Sequence, residues 1–134
     1  MATLESIEGI GATYANQLRA VGVTTVADLL KKGATPKGRQ EIAENSGISD
    51  KLVLRWVNHA DLFRIKGVGE EYSDLMEASG VDTVVELAQR KAENLYQKIV
   101  ATNTEKKLVR KLPTQAQVAD WIAQAKTLPR VVSY

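Results

Sequence analysis

The stretch IKGVG at Ile65–Gly69 lies near the middle of the chain, and IEGIG at Ile7–Gly11 has the same pattern near its start. Both stretches place two glycines one residue apart among apolar residues, directly before a segment with helical periodicity. A tyrosine follows three residues after the second glycine in each copy, as Tyr14 and Tyr72. Glycine tolerates positive φ and lets another chain approach closely. The pattern therefore predicts two turns of the same kind, each opening a helix.

The similarity between the two copies extends beyond the turns. When the chain is shifted by 58 positions, ten of the 23 residues from 7 to 29 are identical. Further along, Val53, Trp56 and Ala60 match Val118, Trp121 and Ala125 at a shift of 65, and the basic segment 105–111 accounts for the difference. Repetition at this period predicts two copies of a four- or five-helix unit. The predicted repeats are residues 1–62 and 63–134, packed together as one globular body.

Helical periodicity and helix end signals recur along the whole chain. Gly22 and Gly80 are predicted C-terminal stops. The predicted N-caps include Thr24 or Thr25, Asp82 or Thr83, and Thr114. No segment has the sustained two-residue alternation of a strand, so the predicted fold class is all-α. About nine or ten short helices are expected, near residues 2–6, 12–21, 26–32, 37–45, 50–63, 70–79, 84–90, 92–101, 104–110 and 114–125.

Composition limits the classes of function. The chain has 134 residues, 44% of them hydrophobic, and a formal net charge of +2. This near-neutral balance gives the whole molecule no strong attraction to nucleic acid or to an anionic membrane. Cysteine is absent, which excludes disulfides and thiolate metal sites. No signal peptide or membrane-spanning run is recognisable, so we expect a cytoplasmic protein without a membrane partner.

The sequence predicts a protein that is not an enzyme. No serine, histidine and carboxylate set has a triad-like arrangement, and no group of residues has metal-ligand spacing. The Gly-x-Gly pairs follow predicted helices rather than strands and lack the third glycine of a dinucleotide fingerprint. We therefore expect no cofactor and no metal centre.

The glycine turns predict a different chemistry. A turn of this kind leaves unpaired backbone N–H groups at the start of the next helix, where the helix dipole adds partial positive charge. Such a place can receive a nucleic-acid phosphate. Lysines and arginines nearby would add counterion release, and Lys107, Arg110 and Lys111 would share one face of the predicted helix 104–110. The candidate nucleic-acid-binding residues are Gly9, Ile10, Gly11, Ala12, Thr13, Lys66, Gly67, Gly69, Lys107, Arg110 and Lys111.

The turns resemble the helix-hairpin-helix superfamily, whose hairpins bind nucleic acid without sequence specificity. More closely, the whole chain resembles an uncharacterised bacterial family of tandem helix-hairpin-helix proteins, a domain of unknown function. That resemblance rests on His59–Leu87 and on the ending Asp120–Ala125. It implies the fold, and it leaves open whether either hairpin holds a monovalent cation.

The sequence departs from nucleic-acid-binding hairpins directly after the second glycine. Those hairpins usually carry a basic residue there, whereas this chain has Ala12 and Thr13 in one copy and Glu70 and Glu71 in the other. Two carboxylates would repel a phosphate, so the first turn is the better candidate. Two functions stay open: a non-catalytic module that contacts the DNA or RNA backbone, and a protein-interaction or scaffold module that has kept the fold. The sequence does not indicate an oligomeric state.

Overall fold

The computed structural model of the chain describes residues 3–134, and this part of the chain is all-α, as the sequence predicts. A 3-10 turn, Leu4–Ser6, precedes the first α-helix. Within the described residues there is no strand, only an isolated antiparallel bridge between Thr3 and Thr25. The α-helices are α1 (Ala12–Ala20), α2 (Val26–Lys32), α3 (Pro36–Ser46), α4 (Asp50–Leu62), α5 (Glu70–Ala78), α6 (Val84–Ala88), α7 (Ala92–Lys106) and α8 (Gln115–Thr127).

These eight α-helices are fewer than the nine or ten predicted for the chain, since the described residues contain no separate helix at 104–110. Thr104 does not cap a new helix; its hydroxyl donates to Val100 O at 2.8 Å inside α7. The helix ends because Lys107 turns left-handed, with φ of 52°. The side chain of Asn103 then holds both backbone groups of Val109, at 2.9 and 3.2 Å, and Val109 is buried. The predicted turn at residues 2–6 is present as Leu4–Ser6, and Ala2 lies outside the described residues.

Local end signals fix the other helices. The side chains of Thr25 and Thr83 accept from the third residue of α2 and α6, and Thr114 forms a reciprocal capping box with Gln117. Gly22 and Gly80 follow α1 and α5 with φ of +88° and +94°. Because these signals act over a few residues, sequence alone predicts them.

The chain divides into two compact units. Unit 1 consists of Met1–Asp61 together with Val131–Tyr134, and unit 2 consists of Leu62–Arg130. Each unit buries a tryptophan from its last long helix, Trp56 or Trp121. Around Trp121, unit 2 packs a continuous cluster that includes Ile65, Met76 and Leu95.

The C-terminal segment completes unit 1. Val132 is buried, and the Ser133 amide donates to Ala34 O at 2.8 Å. Arg39 is 6% exposed and donates to the carbonyls of Gly33, Ala34 and Ser133. Local sequence patterns do not predict this packing of the tail, because its partners lie almost 100 residues earlier in the chain.

Candidate functional site

The two glycine turns have the same local geometry. In the first turn, Ile7–Gly11, the Ile10 amide donates to Ile7 O at 3.1 Å; in the second, Ile65–Gly69, Val68 donates to Ile65 O at 3.1 Å. Gly9 and Gly67 have φ of +93° and +96°. Positive φ at the third of four turn residues is the position that favours glycine. The first glycine of each pair is therefore required by the backbone.

The second glycine of each pair is the N-cap of a helix. Gly11 precedes α1 and Gly69 precedes α5, and neither supplies a side-chain cap. The first helical bonds come from Ala15 to Gly11 and from Ser73 to Gly69, both at 2.9 Å. Earlier amides of a helix have no intrahelical acceptor. Within residues 3–134, no group accepts from the amides of Ala12 or Thr13, so these exposed donors point to an external acceptor or water.

A tyrosine–tryptophan pair packs beside each turn. Tyr14 packs on Trp56 with ring centroids 5.0 Å apart, and Tyr72 packs on Trp121 at 5.3 Å. The Tyr72 hydroxyl donates to Lys111 O at 3.0 Å, so the inserted segment lies beside the start of α5. Tyr14 is 37% exposed and has no such cover among the described residues. The aromatic surface beside the first turn is therefore the more accessible one.

The backbone of the second turn is already bound by a side chain of its own unit. The Lys66 amide donates to Gln124 Oε1 at 2.8 Å, and Gln124 Nε2 donates to Lys66 O at 3.1 Å. In the first turn the residue at the place of Lys66 is Glu8, and none of residues 3–134 accepts from its amide. The repeat places His59 where unit 2 has Gln124. The first turn consequently keeps a backbone donor that the second turn uses internally.

Apart from Glu8 and Lys66 in the turns themselves, the charged side chains near the two turns differ in sign. Arg55 Nη1 lies 3.8 Å from the point at which a side chain on Gly9 would begin. At the shift of 65, the residue that corresponds to Arg55 is Asp120. Asp120 Oδ2 accepts from Gln124 at 2.9 Å, and α5 begins with the exposed Glu70 and Glu71. Glu70, Glu71 and Asp120 therefore oppose an anion at the second turn, and Arg55 favours one at the first. Glu8 in the first turn and Lys66 in the second have the opposite effect.

An acidic residue just before the first turn is paired. Glu5 accepts from Arg19 Nη2 at 2.7 Å. A hydrogen bond from its own backbone amide, followed by the Arg19 side chain, lowers the pKa of the Glu5 carboxyl. Both side chains are exposed, so the pair contributes little to stability. Its effect on the turn is to offset one negative charge.

The predicted site residues of unit 1 come together, with one restriction. Gly9, Gly11, Ala12 and Thr13 are exposed along the first turn, whereas the Ile10 side chain is 4% exposed. Because the Ile10 amide already donates to Ile7 O, neither the side chain nor the amide of Ile10 is open to a ligand.

The predicted site residues of unit 2 are all exposed, but their expected helical arrangement is wrong. Lys66, Gly67 and Gly69 lie on the second turn. Lys107, Arg110 and Lys111 follow the end of α7 in a non-helical segment, so they do not share a helix face. Only Lys111 is connected to the turn region, through the Tyr72 hydrogen bond.

Sequence reasoning missed Arg55, the indole of Trp56 and Gln124. A signal for the first and third was available, because the shift of 65 pairs Arg55 with Asp120 and His59 with Gln124. These pairs are not identities, and a search for identical residues passes over them. Among the described residues, no helix is long and apolar enough to cross a membrane.

Fold and turns together define an all-α protein with two glycine turns of the same local geometry. The chain belongs to the family described as Domain of unknown function (DUF4332), which it matches over residues 8–128. No curated protein and no solved structure matches it.

Proposed function

We propose that this protein is a non-catalytic binding module, built as a tandem repeat of helix-hairpin-helix units, that contacts the phosphate backbone of nucleic acid. The observation that carries the proposal is the set of open amides at the first glycine turn. The amides of Glu8, Ala12 and Thr13 have no acceptor within residues 3–134, and they lie at an exposed helix N-terminus beside Arg55. Backbone amides read phosphate oxygens and not base edges, so the binding is independent of sequence.

Lysines and arginines of unit 2 add to the attraction. Lys66, Lys107, Arg110 and Lys111 are exposed. Each phosphate that they neutralise releases counterions, which makes the affinity fall as salt rises. Gly67 and Gly69 contribute less, because Glu70, Glu71 and Asp120 oppose a phosphate at the second turn.

Fluorescence anisotropy at about 50 mM salt tests the proposal with labelled single- and double-stranded DNA and RNA. We expect binding that is indifferent to base sequence and that weakens steeply by about 200 mM salt. Absence of binding to all four probes at tens of micromolar protein would refute it.

A matched pair of variants locates the contact. Ala12→Glu with Thr13→Glu gives the first turn the residues of the second, and acidic residues stabilise a helix N-terminus, so the fold is retained. We expect this variant to bind at least about tenfold more weakly, because two carboxylates face the phosphate. The reverse change, Glu70→Ala with Glu71→Thr, should leave binding equal or stronger. Equal binding by both variants would exclude the first turn as the contact.

The second candidate function is a protein-interaction or scaffold module. The occupation of the second turn by Gln124 favours it, because that turn has lost an amide that a phosphate would use. The net charge of +2 also favours it. Capture of a partner from a nuclease-treated lysate distinguishes the candidates, since a partner that disappears with nuclease is bridged by nucleic acid.

A further inference from the structure

The indole N–H of Trp56 is a buried donor without an acceptor. Trp56 is fully buried, and no described residue accepts a hydrogen bond from its Nε1. Leaving a buried donor unpaired is destabilising, and native proteins contain few such groups. The presence of an unpaired indole nitrogen at this buried point therefore requires an explanation.

The position of this nitrogen supplies one. If Gly9 carried a side chain, its first atom would lie 3.5 Å from Trp56 Nε1 and 3.8 Å from Arg55 Nη1. Apart from the neighbours of Gly9 in the chain, these are the only atoms of the described residues within 4 Å of that point. Both are nitrogen donors, and Gly9 itself is exposed. The absence of a side chain at Gly9 therefore brings the exposed backbone of the turn close to two N–H donors.

A group that offers acceptors suits this point best, because the indole and the guanidinium offer donors and no acceptor. An oxyanion accepts from both and is attracted by the charge of Arg55, and phosphate suits the guanidinium well. The open amides of Ala12 and Thr13 follow on the same turn.

The second unit provides the contrast. Its Trp121 Nε1 lies 3.1 Å from the corresponding point at Gly67, which is closer by 0.4 Å than in unit 1. Apart from the chain neighbours of Gly67, no cation of the described residues lies within 4 Å of that point, and the residue that corresponds to Arg55 is Asp120. Of the two turns, only the first therefore has both an indole nitrogen and a guanidinium beside its glycine.

We propose that Trp56 Nε1–H, the Arg55 guanidinium and the amides at the start of α1 form a binding site for a phosphate group over Gly9. The inference rests on the proposed function for the source of the phosphate, which is a phosphodiester of the nucleic-acid backbone. It adds a buried side-chain donor and a specific cation to the backbone contact. Because the Trp56 nitrogen has no accessible surface, the Gly9 turn has to shift for the phosphate to reach it, and Arg55 sets the preference for an anion.

Nuclear magnetic resonance of the indole groups tests the site on the intact chain. The protein has two tryptophans, so a ¹⁵N-labelled sample gives two indole signals, and Trp121→Phe assigns them. We titrate with inorganic phosphate and, separately, with a single-stranded oligonucleotide of about ten nucleotides. The Trp56 indole proton should move downfield and exchange more slowly with both ligands, while the Trp121 signal stays in place.

Affinity measurements on variants give the second readout. Trp56→Phe should weaken oligonucleotide binding about fivefold, the effect of one hydrogen bond. Arg55→Gln should weaken it about tenfold, the effect of a charge-assisted contact. The matched control Asp120→Asn should leave it equal or stronger, because it removes a carboxylate that opposes phosphate. Arg55→Gln changes a partly exposed side chain, so it keeps the test valid if Trp56→Phe fails to fold.

Each outcome decides a separate point. If anisotropy shows oligonucleotide binding and the Trp56 signal does not move, the phosphate site is refuted and the proposed function stands. A Trp56 shift with inorganic phosphate, without oligonucleotide binding, supports the site and refutes nucleic acid as its ligand. If neither ligand moves the signal and the oligonucleotide does not bind, both proposals are refuted.

Discussion

Arg39 holds the C-terminal segment on unit 1, and its removal is the sharpest test of how that unit is stabilised. Its Nη1 donates to Gly33 O at 2.8 Å and to Ala34 O at 3.2 Å, and its Nη2 donates to Ser133 O at 2.6 Å. Arg39→Met keeps an unbranched apolar stem and removes all three bonds. We expect Ser133 and the buried Val132 to detach from unit 1.

The magnitude follows from two opposing effects. Three hydrogen bonds from a charged donor to carbonyls contribute about 1.5 kcal/mol or more each, or roughly 4–5 kcal/mol together. Removal of the charge relieves its desolvation, and burial is the main cause that lowers the pKa of Arg39. This relief offsets about 1–2 kcal/mol. The expected loss is about 2–4 kcal/mol, a large part of the stability of a small unit.

Urea denaturation combined with amide hydrogen exchange measures the effect. Exchange separates the units, because the Ser133 amide, which donates to Ala34 O, reports on the tail itself. Arg90→Met is the matched control, since Arg90 is exposed and donates to Gly80 O alone at 2.8 Å. That variant should lose no more than about 0.5 kcal/mol.

Two results would contradict this account of Arg39. One is an equal loss of stability in Arg39→Met and Arg90→Met. The other is a Ser133 amide that stays protected in Arg39→Met, since the tail would then be held by contacts other than the guanidinium.

Three further predictions concern the turns and one helix start. Gly9→Ala and Gly67→Ala should each lose about 1–2 kcal/mol in urea denaturation because both impose positive φ on alanine, but only Gly9→Ala should also weaken oligonucleotide binding in the anisotropy assay. Gln124→Ala should cost about 1–2 kcal/mol and speed exchange of the amide that it releases in the second turn, and an unchanged exchange rate would show that this clamp is dispensable. The Thr24 hydroxyl, followed by the Thr24 amide, lowers the pKa of the Asp28 carboxyl. Because the folded pKa is lowered, the ionised carboxyl stabilises the fold above about pH 4, and this stabilisation is lost as pH falls through the folded pKa. Thr24→Ala should therefore raise the titration midpoint of the Asp28 carboxyl, measured by nuclear magnetic resonance.

Much of the secondary structure could be read from the sequence because its signals are local. Thr83 and Thr114 cap helices, and Gly22 and Gly80 end them, through contacts within about five residues. The failure at 104–110 has the opposite cause. Lysine and arginine favour a helix there, but burial of Val109 and its bonds to Asn103 outweigh that preference.

The candidate site was predictable in its backbone and not in its side chains. Gly9 and Gly11 predict a turn that precedes a helix, and the structure has this turn before α1. Arg55 and Trp56 reach Gly9 from a helix more than 40 residues later, and no local pattern expresses that approach.

The sequence by itself determined an all-α chain with two glycine turns, because φ preferences, caps and helical periodicity operate between near neighbours. Only the tertiary structure decided which distant side chains contact each turn. It brings Gln124 onto the backbone of Lys66 and Arg55 beside Gly9. Both contacts join residues more than 40 positions apart, whose meeting depends on how helices pack. The two turns are therefore similar in sequence and local geometry, but Gln124 binds the backbone of the second turn, whereas the corresponding backbone of the first turn stays open.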